Sequence, residues 1–225
     1  MRAKLLPRLL ELALGAIELI ADLAEGHRRR VLVRLVKGAY WDSEIKWAQQ
    51  QGLPSYPVYT RKAHTDLSHL VCAQRLPAQG PRLYPQLATH NAHTVVAIPE
   101  PAGDRPFELQ RLHGMGEALY GLVLDESEGL ACRAYDPVGA HRDLLPYLVR
   151  RLLEDGANSS FVNRFADAQA PVEQVVTDPV ERARTSGGSP APGIPGPGTS
   201  TARIGPSPAG STSATRRPRP PSPSP

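Results

Sequence analysis

Apolar positions along residues 5–165 follow two alternating rhythms. Leu9, Leu12, Ile17, Ile20 and Leu23 recur at helical spacing, and Gly26 supplies a stop, so a helix is expected at the start. VLVRLVKG (Val31–Gly38) is a continuous apolar run broken by one arginine, which predicts a strand covered on both faces. Helices are expected around Ser43–Gln51 and Ala63–Leu76. Leu83–Thr89 then reads as a strand, Asn91–Ile98 as a short helix and Phe107–Leu112 as a strand. A helix near Glu117–Val123, a strand at Leu130–Tyr135 and an amphipathic helix at His141–Glu154 complete the series. Strands that alternate with helices point to a parallel α/β fold. The chain has no strand–GxGxxG–helix fingerprint and no P-loop lysine motif, so neither common phosphate cradle marks it.

Composition changes the picture at the C-terminus. From Thr185 onward Ser, Pro, Gly, Ala, Thr and Arg dominate, and 11 of the 24 prolines fall between Pro190 and Pro225. Such a stretch buries too little apolar area to offset the entropy of ordering it, and disorder is expected. The same tail carries the basic balance. Of the formal net charge of +4, six cations lie beyond Glu181, where no acidic residue follows, which leaves −2 for residues 1–181. The folded part therefore offers no charge excess for nucleic acid. Two cysteines, Cys72 and Cys132, are too few for a disulfide framework and lack metal-ligand spacing, so no metal is expected and a reduced, cytoplasmic setting fits. Arg8, Glu11, Glu18 and Asp22 interrupt the apolar start before a signal-peptide core or a membrane span forms.

The candidate chemistry gathers at strand ends. In Val31–Lys37, alternation places Leu32, Arg34 and Val36 on one face and Val33 and Leu35 on the other. A charge inside a strand needs a partner, and an ion pair with a carboxylate elsewhere is the structural alternative to a functional role. Polar and aromatic residues follow each strand: Lys37-Gly38-Ala39-Tyr40-Trp41, then Thr89-His90-Asn91, then His113-Gly114, then Tyr135. In a parallel barrel those ends are where active sites are built, and Gly38 permits close approach of backbone to a ligand. Arg150 and Arg151, with Tyr147 one turn earlier, are either a solvated pair on a surface helix or a clamp for carboxylate or phosphate.

RLVKGAYWDSEIK, YTRKAHTD, ATHNAH, LHGMGE and YLVRRLLEDGANSSFVNR occur together and in order between Val31 and Phe165. This set resembles the flavin-dependent proline dehydrogenase domain of bifunctional bacterial proline-utilisation enzymes. The resemblance implies FAD in a (β/α)8 barrel, oxidation of L-proline to Δ1-pyrroline-5-carboxylate, and a membrane quinone as electron acceptor. It implies that residues 1–170 are the C-terminal half of that barrel, about its last four strand-helix units, with a linker at 171–184 and a disordered tail at 185–225. The first four strands would be missing, with open barrel edges that invite self-association. The tail reads like translation in a wrong frame. A truncated, non-catalytic remnant that at most binds flavin or a partner is the alternative. The parent family is cytoplasmic and peripheral at the inner membrane.

By motif, the resemblance puts catalysis on Arg34, Tyr135, Arg150 and Arg151, with Arg34 beside the reactive edge of the flavin. Lys37, Gly38, Tyr40 and Trp41 would line the cofactor, and Thr60, Arg61, Lys62 and Thr65 would hold its ribityl, phosphate and adenine parts. Thr89, His90, Asn91, Gln110, Leu112, Glu154, Ser160 and Phe161 complete the implied cofactor contacts. Arg150 and Arg151 would clamp the proline carboxylate, and Tyr40, Leu112, Tyr135 and Tyr147 would shape the substrate pocket.

Overall fold

The computed structural model describes residues 5–38, 40–98, 106–127, 129–156 and 178–186, with residues 191, 194, 196 and 197. Its elements run α1 (Leu5–Gly26), β1 (Val31–Val36), α2 (Trp41–Gln50), α3 (Lys62–Arg75), a 3-10 segment (Pro77–Arg82), β2 (Leu83–Ala88), α4 (Ala92–Val96), β3 (Glu108–Leu112), α5 (Glu117–Glu126), β4 (Ala131–Tyr135), α6 (His141–Gly156) and α7 (Pro179–Ser186). The strands form one parallel sheet in the order β1-β2-β3-β4. Each expected strand and helix is present, with ends shifted by a few residues.

The sheet has two unlike faces. Val31, Val33 and Leu35 of β1, Leu83 and Leu87 of β2, Leu109 of β3 and Cys132 of β4 pack against the helices. Ile17, Ala21 and Ala24 of α1 and Cys72 and Ala73 of α3 close that core, where Leu87, Leu76 and Ala73 are fully buried. At about 25 cal/mol per Å2 of apolar area removed from water, this layer is the main source of stability. The other face carries Leu32, Arg34 and Val36, in register with Tyr84, Gln86 and Ala88. It continues through Glu108, Gln110 and Leu112 to Ala131, Arg133 and Tyr135.

That second face corrects one expectation. β1 alternates between half-buried and exposed, with Leu32 62% and Val36 46% exposed, so it is covered on one side only. The apolar run satisfied a sheet face that these four strands and their helices leave open. The described residues also include the last part of the segment expected as a linker, 171–184. From Pro179 the chain is helical, and α7 lies on α3, where His64 Nε2 meets Ser186 Oγ at 3.1 Å. Ile194 joins a small cluster with Ile45, Ala48 and Tyr56, so the first part of the expected disordered tail is also placed. Residues 157–177 and 201–225 lie outside the described structure.

Candidate functional site

The strand ends converge on the open face, and Arg34 is its central cation. Its Nε donates to Gln110 Oε1 at 2.7 Å, and its guanidinium carbon lies 4.2 Å from the centre of the Tyr135 ring. Cation–ring stacking of this kind contributes about 0.5–1 kcal/mol at exposed sites. Among the described residues, Arg34 is therefore held by an amide and an aromatic ring, and the carboxylate ion pair considered from sequence does not form.

Behind Arg34 lies a carboxylate that the sequence reading did not single out. Glu108 is 2% exposed and accepts from Gln86 Nε2 at 2.8 Å, Gln110 Nε2 at 2.7 Å and Arg133 Nε at 2.9 Å on one oxygen. Its other oxygen accepts from the Arg133 Nη2 at 2.9 Å. The Arg133 bonds, helped by those from Gln110 and Gln86, outweigh burial and hold the carboxyl well below its usual range, at about 2.

Lys37 follows the opposite parity of β1 and turns toward α3. Its ammonium sits 2.7 Å from Asp66 Oδ1 and 2.8 Å from Thr94 Oγ1, while Lys62 Nζ reaches Asp66 Oδ2 at 2.7 Å. Burial alone would push the Asp66 carboxyl up, but the two lysines together bring it below its ordinary value. For Lys37, burial outweighs the attraction of Asp66 and lowers its pKa. Below this pair lies His69, 4% exposed, with neither ring nitrogen hydrogen-bonded among the described residues. Burial, aided by the Lys37 charge, pushes it down to about 4, so it is neutral at pH 7.

The second and third strand ends are locked to each other. His90 Nε2 accepts from the Leu112 backbone N–H at 3.0 Å, which places the proton of the neutral ring on Nδ1. Tyr120, 1% exposed, donates its hydroxyl to the Thr89 carbonyl. Asn91 caps α4 by accepting from the Thr94 amide at 2.9 Å. Gly116 stands at φ 69, where a Cβ would meet the His90 and Tyr120 rings at 3.3 Å. Only glycine allows both that left-handed turn and the close packing.

Of the remaining expected site residues, Tyr40 and Trp41 are exposed at the end of β1, and Trp41 Nε1 donates to the Tyr59 carbonyl at 2.7 Å. Gly38 is exposed, with open space where a Cβ would stand. Thr60 is buried and accepts from the Ala191 amide at 3.1 Å, so a residue of the tail occupies its hydroxyl. Arg61 and Thr65 are half-buried at the start of α3. Tyr147 is half-buried on α6. The same helix carries Arg150, Arg151 and Glu154. Their side chains, with Ser160 and Phe161, lie outside the described structure.

A stacked cation, open space at Gly38 and two exposed aromatic rings follow one another between Arg34 and Trp41, from the second half of β1 to the start of α2. Among the described residues no cluster of His, Cys, Asp or Glu has the make-up of a metal site. The fold is that of a parallel α/β protein with polar and aromatic residues gathered at its strand ends.

The comparisons supply the family. The proline dehydrogenase family model matches residues 10–164, and the chain belongs to that family. The bifunctional protein PutA of Salmonella typhimurium is 55% identical over 195 residues, covering 80% of this chain and 15% of PutA. PutA of Rhizobium meliloti is 49% identical over 178 residues, covering 75% of this chain and 14% of its own length. A crystal structure of a mutant Bradyrhizobium japonicum proline utilization A superposes with TM-score 0.76 at 50% identity, covering 84% of this chain and 20% of that one. The chain thus spans about a seventh of the length of the curated PutA relatives it matches.

Proposed function

We propose that this chain carries the second half of a (β/α)8 proline dehydrogenase site, which oxidises L-proline to Δ1-pyrroline-5-carboxylate with FAD and passes the electrons to a quinone. One observation carries the reading: Arg34 lies on the open face of the sheet, inside β1 and fixed by Gln110 and Tyr135, within the span matched by the family model, residues 10–164. A fixed cation there favours a cofactor that gains negative charge on reduction. Bound FAD would supply the hydride acceptor. Gly38, Tyr40, Trp41, Thr89, His90, Asn91, Gln110 and Leu112 would line it, and Arg61, Lys62 and Thr65 would reach its phosphates and adenine.

Arg150 and Arg151 would hold the proline carboxylate, since a guanidinium fork matches two oxygens. Clamping that end orients the ring carbon that loses hydride. Tyr135, Tyr147, Tyr40 and Leu112 would shape the pocket and exclude water. His69, though neutral, is buried on the helix side of the sheet and serves no proton transfer in this scheme. No described helix is long and apolar enough to cross a membrane.

A specific observation favours a second reading. Leu32 and Val36 are exposed on the open face, and among the described residues β1 and β4 each have one unpaired edge. Such edges and apolar faces invite pairing with another chain. A remnant that binds flavin without turning over, or that self-associates through these edges, fits those features. The absorbance spectrum of the purified protein, before and after anaerobic L-proline, separates the readings. A bound flavin spectrum that bleaches with proline supports the enzyme. Flavin that stays oxidised supports the remnant, and absence of flavin removes both flavin readings.

A further inference from the structure

Glu108 is a carboxylate inside a layer where most neighbours are neutral, and its surroundings follow from one chemical fact. An ionised carboxylate only accepts hydrogen bonds. Each group around it must therefore present a donor. Gln86 and Gln110 both turn their amide NH2 groups to the same oxygen, at 2.8 and 2.7 Å. Once the NH2 of Gln110 is committed to Glu108, its carbonyl oxygen is left to face Arg34, whose Nε it receives at 2.7 Å. The charge on Glu108 thereby decides which end of the Gln110 amide Arg34 meets.

Arg133 completes the arrangement. Its fork bonds both Glu108 oxygens at 2.9 Å, from β4 across to β3. The Arg133 side chain is 62% exposed while that of Glu108 is 3% exposed, so the cation stays in water and the anion is covered. With this partner Glu108 adds no uncompensated negative charge near Arg34. Without it, the nearby anion would offset the field that Arg34 presents to a ligand. Arg34 otherwise lies on the exposed side of β1, and a long arginine side chain has many rotamers open to it. A defined acceptor on one side and the Tyr135 ring on the other are what give it one position.

We propose that Glu108, charge-balanced by Arg133, is a positioning residue that fixes the Arg34 guanidinium through the Gln110 amide. The proposal rests on the reading of Arg34 as the cation beside the flavin. The residues that touch the ligand are one shell closer, and Glu108 acts only through them.

The test uses the full 225-residue chain. The Arg34 Nε–H signal is followed by 15N NMR, assigned by its loss in R34K, in the wild type, E108Q and R133Q. E108Q keeps the shape but lets residue 108 donate, so the Gln110 amide is free to turn over. Hydrogen exchange at Arg34 Nε–H should speed at least tenfold in E108Q and by a smaller factor in R133Q, while strand amide exchange stays unchanged. A general loosening of the sheet would instead raise strand amide exchange together with the Arg34 signal, and would overturn the positioning role. Unchanged Arg34 exchange in both variants would also overturn it. R133Q alters an exposed side chain, so it decides the matter if E108Q fails to fold. FAD is then titrated in, and the reduction potential of the bound flavin is measured. In R133Q, which leaves the Glu108 anion uncompensated beside Arg34, the potential should become more negative relative to wild type, and an unchanged potential would overturn the functional part. If the wild type binds no FAD, the reading of the site fails, while the exchange result still decides whether Glu108 positions Arg34.

Discussion

Replacing Asp66 with asparagine should destabilise the chain by about 2–4 kcal/mol, through an uncompensated lysine rather than a lost shape. Asp66 holds Lys37 and Lys62, each at 2.7 Å, and its side chain is only 12% exposed. Lys62 is 47% exposed, and its share is that of a surface pair, about 0–1 kcal/mol. Lys37 is 21% exposed, and its other hydrogen bond goes to the Thr94 hydroxyl. Breaking a buried pair by removing one partner costs about 3–5 kcal/mol, and the residual exposure and the Thr94 bond reduce that figure here. Urea unfolding of D66N, K37M and the double variant at pH 7 gives the coupling energy. It should exceed about 1 kcal/mol, because the double variant no longer buries a lone cation. Additive losses, or a D66N cost below about 0.5 kcal/mol, would refute the claim that Asp66 neutralises a buried Lys37.

Other expectations follow from the same structure. His69 is held at about 4 against an ordinary 6.5, so the unfolded chain binds more protons between those values; stability should fall as pH drops from 6.5 through 4, by roughly 2–3 kcal/mol, and H69F should flatten that segment of the unfolding profile. Glu108, depressed to about 2 against an ordinary 4.5, contributes stability that is complete above 4.5 and lost as pH falls toward 2, so E108Q should lower stability above 4.5 and flatten the curve between 4.5 and 2. Leu87→Ala, at a fully buried position, should cost about 2–5 kcal/mol in denaturant unfolding. Gly116→Ala should cost about 1–2 kcal/mol from the left-handed backbone alone and should also shift the His90 ring signals, since its Cβ would press on that side chain.

How far the fold was legible depends on which pattern each residue set obeys. The alternation at β1 separated Arg34 from Val33 and Leu35 correctly, because a strand's side-chain period is fixed by its pleat. The same run was expected to be covered on both faces, since apolar content reports what a face can bury against and not whether the partner is present. α7 escaped notice because its eight residues are mostly polar and charged, and it is held by contacts with α3 that no local pattern encodes.

For the site, the residues at strand ends stand out in the sequence because a parallel barrel builds its active sites there. The polar layer beneath them was harder to see. Glu108 and Arg133 stand 25 positions apart, and only the parallel register of β3 and β4 brings them together. Yet a signal was present: Glu108, Gln110 and Arg133 share one face of β3 and β4 with Leu112, Ala131 and Tyr135. Polar groups that are buried on such a face must be satisfied, since each unpaired one would cost about 1–3 kcal/mol. A strand that places a glutamate and a glutamine two residues apart on such a face therefore announces a network before the partner strand is known. The same argument ties stability to function in this chain: the bonds that make Glu108 tolerable in the sheet are those that leave one acceptor for Arg34.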